Sequence, residues 1–367
     1  MLSPPESAGG PLPRLVPALS AGLRARGHTV GWSAWGAAQP GESLLGRVAG
    51  RWVQAGQARA AALKTRADVV VIHTAHNRRA VTRDWVLLRF LRRARVPTML
   101  VLHGSTPRSV SDSPKSLFSR CTLATLRQAA VIGVTSSEEL EAWSALLPSA
   151  LVARVKNPVA PVKENLPHDP LERAEPRPIL FAARLIAAKG CSRVVEAYAG
   201  IPSELRPGLV VAGDGPERLR LEEQVGELGL EGEVSFVGYV DSPTLDRLYA
   251  SASMLILPTV HDEGLPMVLL EAAAHGLPLI TTGFRGAADY LEDGLTALLV
   301  DPLDISAVRR AMRRLLEDRE MASAMSAQLR KLSTVFAPSS VAAEYEHALC
   351  DAMRLARIGH RGGRPHP

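Results

Sequence analysis

Short apolar segments rich in β-branched residues alternate along this chain with longer stretches that repeat hydrophobic side chains at helical spacing. Such segments are typical of parallel strands buried on both faces and joined by helices. The first half has five, at residues 28–32, 69–73, 98–103, 131–135 and 151–155. The second half has six, at residues 179–182, 209–212, 234–237, 254–257, 279–282 and 297–300. The pattern predicts an α/β protein with two doubly wound sheets.

The domain boundary is predicted in residues 159–177, which are rich in proline and charge and have no periodic apolar face. We expect one Rossmann-like domain at residues 1–158, a second at 178–338, and a helix with a flexible tail at 339–367. The start of the first domain is unusual, since Gly9-Gly10 follows only eight residues. A doubly wound sheet normally opens with its central strand before such a turn. We therefore expect a truncated first strand and a natural start upstream of Met1.

Composition excludes several classes of protein. The 367 residues are 46% hydrophobic and 22% charged, which is a globular balance. No apolar run reaches the roughly 18 residues of a spanning helix, and the N-terminus lacks the basic and apolar regions of a secretory signal. Three widely spaced cysteines match no zinc or disulfide pattern, so we expect a cytoplasmic protein.

Charge is concentrated in the first 110 residues, which have a net charge of +12 against −6 for the rest. Either a general preference for Arg or an anionic partner would explain this charge asymmetry. Nucleic acid is the least supported partner, because aromatics are 4% and no nucleic-acid-binding motif occurs. Residues 44–67 contain Trp52 and five basic residues but no acid. This helix is expected either to pack on the sheet or to make peripheral contact with an anionic membrane.

Two glutamates stand out in the second half. Glu271 lies within residues 267–274, where every other residue is apolar. An ionised carboxylate there is costly unless it pairs with a cation or accepts hydrogen bonds, for example from adjacent hydroxyls of a ligand. Glu263 precedes the start of the same helix, where backbone N–H groups favour oxygen ligands.

Glu263-GLPMVLL-Glu271 resembles the signature of the retaining glycosyltransferases of family 4, which adopt the GT-B fold, two Rossmann-like domains facing a central cleft. The resemblance implies that Glu263 lies against the donor sugar and that Glu271 accepts hydrogen bonds from the nucleotide ribose. It also implies donor contacts at Gly264, Leu265 and Val268. Leu265-Pro266 replaces a common Phe-Gly, and Pro266 has no N–H to offer a sugar hydroxyl, which leaves the donor sugar open.

Arg184 and Lys189 follow the apolar segment 179–182. Cations beyond the carboxyl end of a parallel strand suit a diphosphate, although ordinary solvated side chains fit the same pattern. In the resembled family, this pair binds the diphosphate leaving group. The family pattern also places near the nucleotide the turn that follows segment 209–212 and the end of the next strand: Gly213, Asp214, Gly215 and Val237.

His103 ends an apolar segment and is followed by Gly104, so it stands at the carboxyl end of a strand. Position alone favours a structural histidine, whereas the resemblance implies a place near the donor sugar. His73 and His76 are weaker candidates for an acceptor site. Gly9 and Gly10 suit an anion at a helix start, and the resemblance implies contact with the donor phosphate or the acceptor.

The sequence has no Asp-x-Asp motif and no His/Cys cluster, so we expect no metal and no cofactor beyond the nucleotide-sugar substrate. The resemblance implies transfer of a hexose-type sugar from a GDP- or UDP-sugar to a lipid-linked or saccharide acceptor, with retention of configuration, in cell-surface polysaccharide or glycolipid synthesis. The inner face of the membrane is a second expected location. Two alternatives stay open: a nucleotide-sugar epimerase of the same fold and a non-catalytic nucleotide-sugar-binding protein.

Overall fold

The computed structural model describes residues 1–4, 12–36, 44–162, 177–261, 264–283 and 285–361. It divides into two compact units. Unit 1 holds residues 1–158, Gly264, Leu265 and the helix that begins at residue 338. Unit 2 holds residues 159–261 and 266–337. Most of the predicted linker lies outside the described residues.

Unit 1 is built on a six-stranded parallel sheet with the order β2-β1-β3-β4-β5-β6. Its strands are β1 (Leu2–Ser3), β2 (Ser33–Ala34), β3 (Val70–Thr74), β4 (Thr98–Leu102), β5 (Val131–Val134) and β6 (Leu151–Arg154). The two residues of β1 pair with β2 on one side and β3 on the other. The first strand therefore lies inside the sheet, although it is short.

The predicted strand at residues 28–32 is wrong. The strand lies immediately after these residues, where Ser33 and Ala34 pair with Leu2 and Ser3 of β1. β2 is the edge strand and has only the two residues of β1 as partners, so the pairing ends there. Trp32, which the apolar pattern placed in the strand, is 49% exposed.

Helices cover both faces of this sheet. They are α1 (Leu12–Ala25), α2 (Leu44–Lys64), α3 (Arg78–Arg93), α4 (Pro107–Ser111), α5 (Leu117–Leu126), α6 (Ser137–Leu146) and α14 (Pro338–Arg361). Val70 and Ile72 of β3 join a core cluster with side chains of α2 and α3. Val71 joins a second cluster with side chains of α1 and α14. Successive residues of a strand point to opposite faces, so β3 is buried on both sides.

Glycine allows close contact between α1 and α14 on the second face. A Cβ at Gly22 would lie 2.1 Å from the Pro338 carbonyl oxygen, which no side chain permits. Tyr345 of α14 is fully buried in the cluster beneath. The C-terminal helix is thus part of the core of unit 1.

Unit 2 has a second six-stranded parallel sheet, with the order β12-β11-β10-β7-β8-β9. Its strands are β7 (Ile179–Ala182), β8 (Leu209–Ala212), β9 (Val234–Gly238), β10 (Met254–Leu257), β11 (Leu279–Thr281) and β12 (Leu298–Leu299). Its helices are α7 (Cys191–Ala199), α8 (Arg218–Glu227), α9 (Ser242–Ser251), α10 (Met267–Ala274), α11 (Arg285–Ala288), α12 (Ile305–Glu317) and α13 (Arg319–Ser333). The described helices of both units do not include one with the length and apolar character needed to cross a bilayer.

Candidate functional site

The direction of strand addition reverses in unit 2 between β7 and β10. From β7 the chain adds β8 and β9 on one side, and then returns to add β10, β11 and β12 on the other. Loops leaving two such strands diverge to opposite faces of the sheet, and the crevice between them is where open α/β sheets bind ligands. The carboxyl ends of β7 and β10 therefore mark the candidate site of unit 2.

The loop after β7 ends in a short 3-10 helix, Ala187–Lys189. It carries Arg184 and Lys189 and is held to the loop after β10. The Ala188 carbonyl accepts hydrogen bonds from the Val260 N–H at 2.8 Å and from the Thr259 hydroxyl at 3.1 Å. Arg184 is exposed and Lys189 is half-buried. Both predicted cations thus lie on the loop beside the strand-order reversal.

The glycine turn after β8 packs tightly on the same loop. The Leu185 N–H donates to the Asp214 carbonyl at 2.9 Å. A Cβ at Gly213, whose φ is +141°, would lie 1.9 Å from the Ala183 carbonyl oxygen, and one at Gly215 would lie 2.3 Å from the Leu185 carbonyl oxygen. These glycines are required by close contact between two backbones, a structural role that the sequence reading did not distinguish from ligand binding.

Burial affects the charge of Lys189. It lowers the pKa of the Lys189 ammonium to about 8, because the charged form loses solvation. A bound anion would favour the charged form and reverse this shift. Lys189 is therefore a group whose protonation would report an anion at this loop.

Val237, near the end of β9, is 44% exposed, and its predicted contact with the nucleotide stays a prediction. The next residue, Gly238, accepts a hydrogen bond from the Gly213 N–H at 2.8 Å. The end of β9 and the glycine turn are thus joined. Arg184 follows β7, the glycine turn follows β8, and Val237 lies near the end of β9, so all three are at the carboxyl ends of adjacent strands.

Glu271 lies in α10 and is only 5% exposed. Its Oε2 accepts a hydrogen bond from the Tyr249 hydroxyl of α9 at 3.0 Å. The sequence predicted a cation or a ligand as its partner and gave no sign of this phenol, which occupies an ordinary core position of an amphipathic helix. Val268, three residues earlier in α10, is half-buried.

In unit 1, His103 follows β4 and lies beside His73 of β3. The His73 Nδ1 and His103 Nε2 atoms are 3.0 Å apart and the rings stack. Burial lowers the pKa of His103 to about 4 and that of His73 well below its ordinary value. Both rings are therefore neutral near neutral pH, and His103 can act there as a hydrogen-bond partner but not as a cation.

His76 is engaged with protein groups at both ring nitrogens. Its Nδ1 accepts from the Thr106 N–H at 3.1 Å, and its Nε2 lies 3.4 Å from the Thr122 hydroxyl. Burial lowers its pKa to about 4. These contacts join the loops after β3 and β4 through a neutral ring, which favours a structural role over the predicted acceptor role.

A buried carboxylate that the sequence reading missed organises the loops after β4 and β5. Glu139, 1% exposed, accepts five hydrogen bonds: from the N–H and hydroxyl of Ser105 at 2.7 and 2.5 Å, those of Thr135 at 3.2 and 3.0 Å, and the Ser136 hydroxyl at 3.1 Å. The spacing Ser136-x-x-Glu139 is a helix-start signal that could have drawn attention to it. A Cβ at Gly264 would lie 1.9 Å from the Thr135 hydroxyl oxygen.

The predicted site residues thus fall into two groups. Unit 2 contains Arg184, Lys189, Gly213, Asp214, Gly215, Val237, Val268 and Glu271, and unit 1 contains His103, Gly264 and Leu265. Glu263, Gly9 and Gly10 lie outside the described residues, and their predicted roles stay predictions. Within the described part of the chain, no group of three His, Cys, Asp or Glu side chains is arranged to hold a metal ion.

Comparison with known proteins shows which family this chain resembles. Residues 162–332 match the family described as glycosyl transferases group 1. The chain is 30% identical over 251 residues to an alpha-D-kanosaminyltransferase of Streptomyces kanamyceticus, a match covering 63% of this chain and 64% of that protein. It is 31% identical over 182 residues to a GDP-mannose-dependent alpha-(1-6)-phosphatidylinositol monomannoside mannosyltransferase of Mycobacterium tuberculosis, covering 45% of this chain and 47% of that one. The chain thus spans less than two thirds of the length of either relative.

The whole fold also has solved counterparts. The structure of Anabaena HepE in complex with UDP-glucose matches 95% of this chain and 98% of its own, with a TM-score of 0.73 and 17% identity. At that identity the likeness concerns the fold. It confirms the predicted GT-B class, with two parallel α/β sheets.

Proposed function

We propose that this chain, whose residues 162–332 match the glycosyl transferases group 1 family, transfers a hexose-type sugar from a GDP- or UDP-sugar to a lipid-linked or saccharide acceptor. Transfer proceeds with retention, as in glycosyltransferases of family 4, and serves cell-surface polysaccharide or glycolipid synthesis. Relatives that transfer sugars, one of them GDP-mannose-dependent, support the donor class.

The main support for the proposal is that two cations and a buried carboxylate follow β7 and β10, the two strands between which the strand order of unit 2 reverses. Arg184 and Lys189 follow β7, and Glu271 lies in the helix that follows β10. A diphosphate needs cations, and a ribose needs an acceptor for its two hydroxyls. A nucleoside diphosphate presents both groups, and the proposal assigns the diphosphate to the cations and the ribose to the carboxylate.

In the proposed reaction, the bond between the anomeric carbon and the diphosphate oxygen breaks, and its electron pair leaves with the diphosphate. The acceptor hydroxyl forms the new bond on the same face of the sugar, and its proton passes to the leaving phosphate oxygen. Arg184 and Lys189 stabilise the negative charge that develops on that group, and no metal takes part. Glu263 and His103 are proposed to face the donor sugar, and Gly9 and Gly10 the donor phosphate or the acceptor.

The shifted pKa of Lys189 provides a direct test of diphosphate binding. At about pH 8, near its pKa, the group is half protonated, so binding of UDP or GDP should take up about half a proton per nucleotide. Calorimetry in buffers of different ionisation enthalpy measures this uptake. Lys189→Met should abolish it and weaken binding about tenfold or more.

Lys331→Met is the matched control, because Lys331 is an exposed lysine of α13 in the same unit. It should leave both the affinity and the proton uptake unchanged. Equal uptake by wild type and Lys189→Met would contradict the proposed diphosphate site.

Activity is tested with labelled donor, with and without a pool of saccharide and lipid-linked acceptors. The proposal requires an acceptor-dependent product with retained configuration, at the same rate in excess EDTA. Conversion of the donor alone to an epimer, or nucleotide binding with no turnover on any acceptor, would contradict it in favour of an epimerase or a binding protein. A loss of activity in EDTA would contradict the metal-free mechanism.

The proposed acceptor class includes lipid-linked saccharides, and the exposed side chains of two helices of unit 1 suit contact with an anionic membrane. Trp52 and Val53 of α2 are 48% and 59% exposed, and Trp85 of α3 is 38% exposed. The described residues of these two helices expose no acid, since Asp84 is 1% exposed. Exposed aromatic side chains among basic ones are typical of peripheral contact with anionic lipid.

Sedimentation with vesicles tests this contact. The protein should bind phosphatidylglycerol vesicles more strongly than phosphatidylcholine vesicles, and Trp52→Ser with Trp85→Ser should lower that binding at least severalfold. Leu117→Ser is the control, because Leu117 is a 77% exposed apolar residue of α5 in the same unit. Equal binding to both vesicle types would exclude the membrane contact.

A further inference from the structure

The Tyr249 hydroxyl is placed to orient the Glu271 carboxylate. It donates to Oε2 at 3.0 Å, and the Tyr249 side chain is fully buried. The last torsion of a glutamate side chain is broad and roughly twofold unless a neighbour holds it. A hydrogen bond from a buried phenol to a carboxylate is stronger than one between neutral groups, and it fixes that torsion.

We propose that Tyr249 is a positioning residue for the ribose of the donor: its hydroxyl holds the Glu271 carboxylate in the orientation that accepts the two ribose hydroxyls. This inference rests on the proposed function. An ionised carboxylate has about four acceptor positions. The phenol takes one of them, at Oε2.

Tyr249 is itself held in place from the neighbouring helix. Its ring packs against His275 with centroids 5.4 Å apart. The Nε2 of that imidazole lies 3.7 Å from an oxygen of Asp246 in α9. The Tyr249 side chain therefore contacts both the His275 ring and, through its hydroxyl, the Glu271 carboxylate. Such packing limits the motion of the hydroxyl relative to the carboxylate.

If Tyr249 positions Glu271, its loss should weaken the preference for ribose over deoxyribose, an effect that the loss of a purely structural tyrosine would not have. We would measure by calorimetry the affinities of UDP and GDP and of their 2′-deoxy and 3′-deoxy counterparts. Wild type should favour the ribose forms of the nucleotide it binds by about tenfold. In Tyr249→Phe this preference should fall to about twofold, while the affinity for the deoxy forms stays close to that of wild type.

Tyr198→Phe is the matched control. Tyr198 is also fully buried in unit 2, and its hydroxyl donates to the Pro207 carbonyl at 2.7 Å, at the amino end of β8. This variant also loses one phenolic hydrogen bond in unit 2, but one made to a backbone carbonyl and not to Glu271. It should keep the full ribose preference. Thermal unfolding of both variants separates a loss of stability from a loss of recognition.

The outcomes distinguish this inference from the function on which it rests. If wild type binds neither UDP nor GDP, the proposed function fails. If wild type shows no ribose preference, or Glu271→Ala keeps it, the Glu271 assignment fails and the inference with it. If Glu271→Ala loses the preference but Tyr249→Phe keeps it, the inference alone is overturned. A lower melting temperature of Tyr249→Phe with unchanged preference overturns it in the same way, because the role is then structural.

Discussion

Substitution Glu139→Gln tests whether the buried carboxylate of unit 1 holds the loops after β4 and β5. One carboxylate oxygen accepts from the Ser105 N–H at 2.7 Å, and the other from the Thr135 N–H at 3.2 Å. The amide of glutamine has one acceptor oxygen and one NH2 group. In either orientation of that amide, its NH2 group faces one of these two backbone N–H donors.

The expected loss of stability in Glu139→Gln depends on which hydrogen-bond donors can reorient towards the new amide. The hydroxyls of Ser105, Thr135 and Ser136 can rotate to accept from the new amide, whereas a backbone N–H cannot. Leaving one buried N–H without an acceptor costs about 1 to 3 kcal/mol, and loss of the charged acceptor adds to this. We therefore expect the free energy of unfolding to fall by about 2 to 4 kcal/mol.

Urea unfolding followed by tryptophan fluorescence is a suitable assay, because the Trp143 indole donates to the Ser105 hydroxyl at 2.9 Å within this network. Glu138→Gln is the matched control: the neighbouring glutamate is exposed, and its contact with Arg108 is a surface pair at 3.7 Å. Such pairs contribute at most about 1 kcal/mol. If Glu139→Gln were as stable as Glu138→Gln, the Glu139 carboxylate would not be what holds these two loops.

Two further predictions concern protonation and backbone contact. Burial lowers the pKa of His103 and that of His76 from 6.5 to about 4. Between these two pH values the unfolded chain binds more protons than the folded one, so the free energy of unfolding falls as the pH is lowered, by about 3 kcal/mol for each of the two histidines. Equal urea midpoints at about pH 7 and about pH 4.5 would contradict this prediction. Gly213→Ala should destabilise by about 2 to 4 kcal/mol, because its φ is +141° and the new methyl would meet the Ala183 carbonyl. Gly229→Ala, at φ +66° with nothing within 4 Å, should cost only about 1 kcal/mol, and similar losses in the two variants would show that the backbone contact is not tight.

Local pattern predicted most strands, because buried parallel strands such as β3, β4 and β7 contain continuous apolar runs. It failed at β2, where the extent of pairing depends on a two-residue partner rather than on the apolarity of residues 28–32. Sheet order could not be read from the pattern, because long-range pairing leaves no local signal. The spacing of Arg184 and Lys189 after β7 nevertheless placed both cations on one loop at the carboxyl end of that strand.

The partners of individual side chains were beyond the sequence. Glu271 was recognised as a buried acid that needs a partner, but Tyr249 lies 22 residues away on another helix. Glu139 looked like an ordinary residue in the first turn of a helix, although its acceptors reach the loop after β4. Glycines were recognised as turn residues, whereas the contact that requires Gly213 depends on how two loops meet.

A crystal structure of the chain with UDP or GDP would show whether a nucleoside diphosphate binds at the carboxyl ends of the unit 2 strands. We expect the diphosphate within hydrogen-bond distance of Arg184 and Lys189, and both ribose hydroxyls donating to the Glu271 carboxylate. A nucleotide bound elsewhere, with none of these three side chains in contact with it, would rule out the proposed site.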